Sequence, residues 1–422
     1  MVERHKPGKS RLFCVNGASD LDILDSHHTD GQQPVEGKKL VRQPLALLPT
    51  PVVPLDRLGR VLGLDALYVK RDDQTGLGLG GNKIRKLEFL LGDALRQGAD
   101  TVLTVGALQS NHARQTAAAC ARLGLHCELI LLRGRKEGEA YLKSGNVLLD
   151  RLFGARIQLI DAPASREDAM MERAEILRRD GRRPYLIPVG GSSLVGGFGY
   201  ALCAEELSIQ EAQVGVTFDT IIVPTGSGGT HAGLVAGLHC VGSKAQVLGI
   251  AVEGTRAEKE ESVWTQAQEL VAALGGRRLP RRAVRVDDRF VGEGYGHPTE
   301  AMREAIFLTA SLEGLLLDPT YTGKAMSGLI SMARAAMIPR AAPVLFLHTG
   351  GVPGLFAQPE LFESLPTASV ADIAGNSMAD PEIERMEGQP ASTNGKKPTR
   401  RRRTKKPLED AGERGPRDPT VG

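Results

Sequence analysis

Along the middle of this 422-residue chain, short apolar runs repeatedly end at a glycine-bearing turn and hand over to a stretch with helical spacing, and this alternation limits the possible folds more than any other feature. The run at 101–106 (TVLTVG) precedes HARQTAAACARLG, a helical stretch closed by Gly124. A second run at 127–132 (CELILL) follows. NVLLDRLFG, ARIQLI and a helix from Ser165 to Asp180 continue the pattern, with Ser165 and Asp168 spaced like an N-cap and its N3 acid. FDTIIVP at 218–224 reads as a buried strand, TGSGGTHAG opens the next helix, VLGIAVEG at 247–254 follows, and PVLFLH at 343–348 is the last strand. Parallel strands joined through helices need right-handed crossovers, which place helices on both faces of a mostly parallel sheet. At roughly 150 residues per domain the chain has room for two or three. Two such sheets with a ligand between them fit that length.

Outside these limits the pattern fails. Residues 1–42 lack sustained periodicity and read as a poorly ordered extension, and beyond about Leu365 Pro, Ser, Thr and charge dominate without enough apolar surface to offset the cost of ordering. The net charge of +3 conceals a division: ten basic and four acidic residues from Lys396 onward give the tail +6, which leaves −3 for everything before it. A polyanion-binding role therefore cannot be given to the folded body from its charge. KKPTRRRRTKK could contact phosphates weakly, but no aromatic residue is interleaved for base stacking, and a solvated, disordered basic tail over 366–422 is the expectation. No stretch of eighteen apolar residues offers a membrane span, and no apolar segment follows the basic N-terminal residues. The five cysteines (14, 120, 127, 203 and 240) form no CxxC pair, so reduced core thiols in a cytoplasmic protein are expected, with no disulfide framework and no metal site.

Three segments place reactive groups at strand-to-helix junctions. In Gly80-Gly81-Asn82-Lys83-Ile84-Arg85-Lys86-Leu87-Glu88 the apolar residues from Ile84 recur at helical spacing, which puts Lys83 at a helix N-terminus. Partial positive charge there disfavours an ammonium and suits an amine nucleophile; the plainer alternative is a solvated lysine in a basic first turn. Gly106 to His112 (GALQSNH) joins the 101–106 strand to its helix, where backbone N–H groups, Ser110 and Asn111 suit a substrate carboxylate, or where Ser110 is simply a helix cap. Thr225-Gly226-Ser227-Gly228-Gly229-Thr230 has the form of a phosphate cradle. A G-x-G-x-x-G reading fails there because His231 stands where glycine is needed, and the Gly-Lys-Ser/Thr of a P-loop is missing, so a phosphate fits and a dinucleotide or ATP does not. Gly294-Tyr295-Gly296, Asp318 to Lys324 (DPTYTGK) and His348 to Pro353 (HTGGVP) complete the set. Their tyrosines are candidate acids near a leaving group, and Thr349 follows a strand end where α/β folds bind ligands.

Taken together and in order, GGNKxRKLE, QSNHxRQTAA, DPxYxGKAM and HTGG resemble the 1-aminocyclopropane-1-carboxylate (ACC) deaminase / D-cysteine desulfhydrase family, over about Leu45 to Phe356. The resemblance implies an α/β, two-domain fold-type-II enzyme of the tryptophan synthase β kind, dependent on pyridoxal phosphate. It implies a larger cofactor domain from 43–85 and 198–365 and a smaller domain from 86–197. Lys83 matches the lysine that carries the cofactor, Asn111 the asparagine at its phenolic oxygen, and Gly226, Ser227, Gly228, Gly229 and Thr230 the phosphate loop, with Asn82 beside them. Ser110 matches the serine near the substrate carboxylate, with Asn111 and His112 adjoining, and Tyr295 and Tyr321 match an active-site tyrosine pair.

Within that family, ACC deaminases typically carry Glu after the second tyrosine and Leu before the late Gly-Gly; this chain has Thr322 and Thr349. An uncharged hydroxyl near the pyridine nitrogen supports a weaker electron sink than a carboxylate does, which favours expelling a thiolate over opening a cyclopropane. The resemblance thus implies α,β-elimination on a small amino acid, D-cysteine giving pyruvate, ammonia and hydrogen sulfide, with Lys83 taking the α-proton and Tyr295 or Tyr321 assisting the leaving sulfur. ACC deamination and L-cysteate sulfo-lyase activity remain the alternatives on the same frame. A homodimer is also implied.

Overall fold

The computed structural model describes residues 13–15, 20–23, 40–134, 138 and 141–363, all of them within the compact unit Met1–Ala374. The expected basic tail lies outside the described residues, as does most of the expected N-terminal extension. Within that extension three short strands, β1 (Phe13–Val15), β2 (Asp20–Ile23) and β3 (Leu40–Val41), pair antiparallel in the order β1-β2-β3. The chain that follows β3 is tied down by a buried carboxylate: Glu88 accepts from the N–H of Leu45 (2.8 Å) and Ala46 (2.9 Å) and pairs with Arg42 (2.8 Å).

Two larger sheets carry the rest. The strands β4 (Val52–Pro54), β5 (Leu67–Lys70), β10 (Thr220–Thr225), β11 (Gln246–Ala251), β12 (Arg285–Asp287) and β13 (Val344–Leu347) form one sheet in the order β12-β11-β10-β13-β5-β4, parallel except for the β4 edge. In the second, β6 (Thr101–Ala107), β7 (His126–Arg133), β8 (Arg156–Asp161) and β9 (Pro184–Ile187) lie all parallel in the order β8-β7-β6-β9.

Helices cover both faces of each, because the central strands are apolar at successive positions and side chains alternate between faces. In β10, Ile221 and Val223 pack toward α6 (Leu194–Val214), α7 (Gly229–Cys240) and α8 (Arg256–Ala273). Ile222 points the other way, into the layer of α1 (Asp56–Leu62), α9 (Glu300–Glu313) and α10 (Thr322–Arg334). The second sheet repeats the arrangement. Leu129 and Leu131 of β7 face α2 (Lys83–Arg96), α3 (Asn111–Leu123) and α4 (Gly145–Leu152), whereas Ile130 meets Met170, Ala174 and Leu177 of α5 (Arg166–Arg179). A last short helix, α11 (Val352–Phe356), follows β13. Expected caps are present: Ser165 accepts from the Asp168 N–H (3.1 Å), and Gly124 closes α3 at φ 70°.

The helix that carries Lys83 is anchored by a buried ionic network. Arg85 bonds Asp72 (Nε to Oδ2, 2.9 Å) and Glu206 (Nη1 to Oε2, 2.9 Å), Tyr200 donates to Asp72 (2.5 Å), and Lys70 bonds Glu206 and Gln210. The charges neutralise one another with most donors and acceptors satisfied, the condition under which buried ions are tolerated. Gly199 lets α6 approach α2 closely, since a Cβ there would lie 2.2 Å from the Arg85 carbonyl oxygen.

Candidate active site

Strand ends from both larger sheets open onto one cavity of about 600 Å³. Its walls are Asn82 and Lys83 at the start of α2, the end of β6 and the turn after it (Gly106, Ala107, Ser110, Asn111, His112), the turn after β10 (Gly226 to Gly228, Thr230), Thr349 after β13, and Tyr295 and Tyr321. The carboxyl ends of parallel strands are where open α/β sheets bind ligands, because the loops there diverge and helix N-termini point inward.

Lys83 is the first residue of α2, and its Nζ donates to Asn82 Oδ1 at 3.1 Å. Its amine is held at about 8 rather than the usual 10.5, chiefly because burial disfavours the ammonium and further because the Arg114 cation is near; Asp318 opposes both. Burial is thus the leading cause of a depression that the sequence assigns to the helix terminus. Asn82 in turn donates from Nδ2 to Thr230 Oγ1 (2.9 Å), so one asparagine links the lysine to the glycine turn.

That turn ends β10 and starts α7 with Gly228 at φ 86°. A Cβ on Gly229 would lie 2.5 Å from Ser192 Oγ and 2.8 Å from Lys86 Nζ, so side chains converge on a recess that only glycine leaves open. Ser192 Oγ accepts from the Gly229 N–H (3.3 Å) and lies 2.8 Å from Ser227 Oγ. Lys86, fully buried on the turn of α2 after Lys83, donates to the Gly190 carbonyl (3.1 Å). Neither Lys86 nor Ser192 is legible from motif spacing; Lys86 stands at i+3 from Lys83, the one periodic hint that both share a helix face.

At the other end, Ser110 caps α3, accepting from the Ala113 N–H (3.1 Å). Asn146 Nδ2 donates to Asn111 Oδ1 (2.9 Å), which leaves the Asn111 amide nitrogen as the group presented to the cavity. His112 has a fixed tautomer. The single Thr104 hydroxyl proton goes to the Ile187 carbonyl (2.8 Å), so His112 Nε2, 3.0 Å away, must be the donor to Thr104, and Nδ1 is left as a buried acceptor without a partner among the described residues. Burial and the neighbouring Lys83 and Lys86 cations hold His112 well below its usual range, consistent with a neutral ring. Arg114 fastens the loop before Lys83 by donating to the Gly78 and Gly80 carbonyls.

Tyr295 and Tyr321 meet edge to face, hydroxyl to hydroxyl at 2.6 Å. Burial pushes Tyr295 up to about 12 and raises Tyr321 well above the usual phenol range, so both are phenols, not phenolates, at neutral pH. Thr349 lines the cavity, and its carbonyl accepts from the Asn82 N–H (3.1 Å). Thr322 departs from its expected place. Its hydroxyl donates to Asp318 Oδ1 (2.7 Å) and accepts from the Asp318 N–H (2.7 Å), closing the first turn of α10, and it is not among the cavity-lining residues. Asp318 is consumed in that turn, accepting also from the N–H of Thr320, Tyr321 and Thr322. Among the described residues no group of three metal-ligating side chains is assembled, and no helix is long and apolar enough to cross a membrane.

A lysine amine, a glycine recess lined by N–H, hydroxyl and lysine Nζ groups, and a capped helix N-terminus around one cavity define a fold-type-II pyridoxal-phosphate enzyme frame. The family model for pyridoxal-phosphate-dependent enzymes matches residues 44–350, and the chain belongs to that family. It is 46% identical over 310 residues to a D-cysteine desulfhydrase of Yersinia enterocolitica, spanning 73% of this chain and 93% of the relative. The D-cysteine desulfhydrase of Salmonella choleraesuis is 46% identical over 311 residues, with the same coverage. A crystal structure of an ACC deaminase homologue, 41% identical, superposes with a TM-score of 0.70 over 77% of this chain and 96% of that one. The membership expected from the motifs, the fold type and the cofactor are thereby borne out. The recess at Gly229 with its inward-facing Lys86 and Ser192 fits the cofactor's phosphate, and Lys83 its aldehyde.

Proposed function

We propose that this chain eliminates the β-substituent of a small amino acid, with D-cysteine as substrate and pyruvate, ammonia and hydrogen sulfide as products. The observation that carries the reading is the Lys83 amine, depressed to about 8 and placed between the phosphate recess and the capped start of α3. When bound, pyridoxal phosphate supplies an electrophilic carbon for the substrate amine and a ring that withdraws electrons from the α-carbon.

The chain's own residues do the remainder. Gly226 to Thr230, with Lys86 and Ser192, hold the phosphate; Asn111 donates from its amide nitrogen to the phenolic oxygen. The Ser110 hydroxyl and the backbone N–H groups of Asn111 and His112 hold the substrate carboxylate at the N-terminus of α3. With a pKa near 8 about a tenth of the Lys83 amine is neutral at pH 7, enough for a base at the α-carbon. Tyr321 or Tyr295, each protonated and bonded to the other, gives a proton to the departing sulfur. Water then completes the balance, its oxygen going to pyruvate and the nitrogen leaving as ammonia. The absence of a carboxylate at position 322, where ACC deaminases carry Glu, supports the elimination reading over cyclopropane opening, as do the desulfhydrase relatives at 46% identity.

The same proposal takes in a homodimer working in the cytoplasm, with the cofactor domain built on the six-stranded sheet (43–85 and 198–365) and the smaller domain on the four-stranded one (86–197). Pyruvate measured in parallel from D-cysteine, L-cysteine, ACC and cysteate tests the substrate. D-cysteine is expected to give the highest kcat/KM, and a higher value for ACC or L-cysteate replaces this reading with that one. A Lys83→Ala protein that kept both its visible cofactor absorbance and its turnover would remove Lys83 from the mechanism.

A further inference from the structure

One cation at the cavity wall has no work in the reading above. Arg166 is the first residue of α5, directly after its Ser165 cap, and its half-buried side chain lines the cavity. It makes no hydrogen bond or ion pair with any described residue. The neighbouring cation Arg133, by contrast, is paired with Asp161 (2.7 Å). Arg166 and Tyr295 line the same cavity, and the positive charge of Arg166 acts on that phenol, partly offsetting the negative influence of Glu253 and Asp318. The carboxylate-binding turn at Ser110 is a separate wall, built on α3. A guanidinium that is partly withdrawn from water and left without a counter-ion favours an anion wherever a ligand brings one, and its planar fork suits an oxyanion.

We propose that Arg166 is the specificity-determining residue of the leaving-group end, selecting amino acids whose β-substituent carries negative charge. A thiolate meets this condition, and so does an oxyacid group such as a sulfonate. The inference rests on the elimination reading for its kinetic part only.

Binding and turnover test it separately. The binding probe is 3-sulfopropanoate, which has a carboxylate for α3 and an anionic far end but no amine and so cannot react; butanoate is its uncharged-tail counterpart. Calorimetric titration of the wild-type holoenzyme is expected to show the sulfonate binding about tenfold or more tightly than butanoate, a preference lost in Arg166→Ala and largely restored in Arg166→Lys. In kinetics, Arg166→Ala is expected to lower kcat/KM for D-cysteine about tenfold, mostly through KM, while β-chloro-D-alanine changes less than about twofold. The KM of the wild type for D-cysteine should also fall as the substrate thiol ionises, a trend flattened in Arg166→Ala. Equal losses for both substrates, or a sulfonate preference that survives the alanine substitution, would overturn the proposal. If the wild type turns over neither amino acid, the elimination reading fails, and the binding comparison still decides Arg166.

Discussion

Protonation at single residues decides what the cavity can do. Lys83 must be neutral to act as nucleophile or base, and burial brings its pKa to about 8. Capture of pyridoxal phosphate by the apoenzyme should therefore speed up about tenfold between pH 7 and pH 9 and level off above it, as followed by absorbance after rapid mixing. Tyr321→Phe removes a proton donor but no carboxylate or phosphate contact, so kcat for D-cysteine is expected to fall by roughly 10² with KM nearly unchanged in steady-state assays. Asp150 is a second kind of group. Burial raises it to about 8, and neither carboxyl oxygen has a hydrogen-bond partner among the described residues, although the Arg114 cation opposes the rise. Its folded-state pKa lies above the unfolded value, so the folded state holds the proton more tightly and stability is lost as pH rises from about 4 through 8. Asp150→Asn should flatten that decline by at least about 1 kcal/mol between pH 5 and pH 8 in urea titrations, because each tenfold difference in proton affinity between the folded and unfolded chain is worth ~1.4 kcal/mol.

Turns and helix starts were the parts of the molecule most legible in the sequence. Gly124, Ser165 and the glycine turn after β10 are chemically committed to their backbone roles, so α3, α5 and α7 begin or end where residue type dictates. Thr322 shows where that legibility stops. A threonine after a tyrosine carries no mark of whether its hydroxyl faces a ligand or closes a turn, and Asp318, four residues earlier, settles the matter by local hydrogen bonds. The phosphate recess is likewise an element-scale property. In Gly229→Ala the added methyl must displace Ser192 Oγ or Lys86 Nζ, and cofactor affinity is expected to weaken at least about tenfold by absorbance titration, with apoenzyme melting shifted far less.

On the scale of the whole molecule, the two larger sheets are held in register with the site by the network of Lys70, Asp72, Arg85 and Glu206, which spans β5, α2 and α6. Removing one partner strands the others. Arg85→Met should cost about 3–5 kcal/mol in denaturant unfolding, the usual penalty for leaving a buried charge unpaired, and should displace Lys83 two residues away. The double substitution Arg85→Met with Asp72→Leu is expected to recover part of that loss, because it removes both halves of one buried pair and leaves Lys70 paired with Glu206.

Sequence alone determined the alternating α/β architecture and the family, and marked Lys83, Ser110, Asn111 and the glycine turn as candidates, because each depends on short-range patterns: apolar period, turn residues, and reactive groups at strand ends. Only the tertiary structure decided which polar side chains share the recess. Lys86 and Ser192, 106 residues apart with no motif to join them, meet beside Gly229 through packing of α2 against the turn before α6, and α5 brings Arg166 to the cavity wall. Charge state follows the same rule, since the burial that sets Lys83 and Asp150 near 8 is a property of the folded surroundings and has no signature in neighbouring residues.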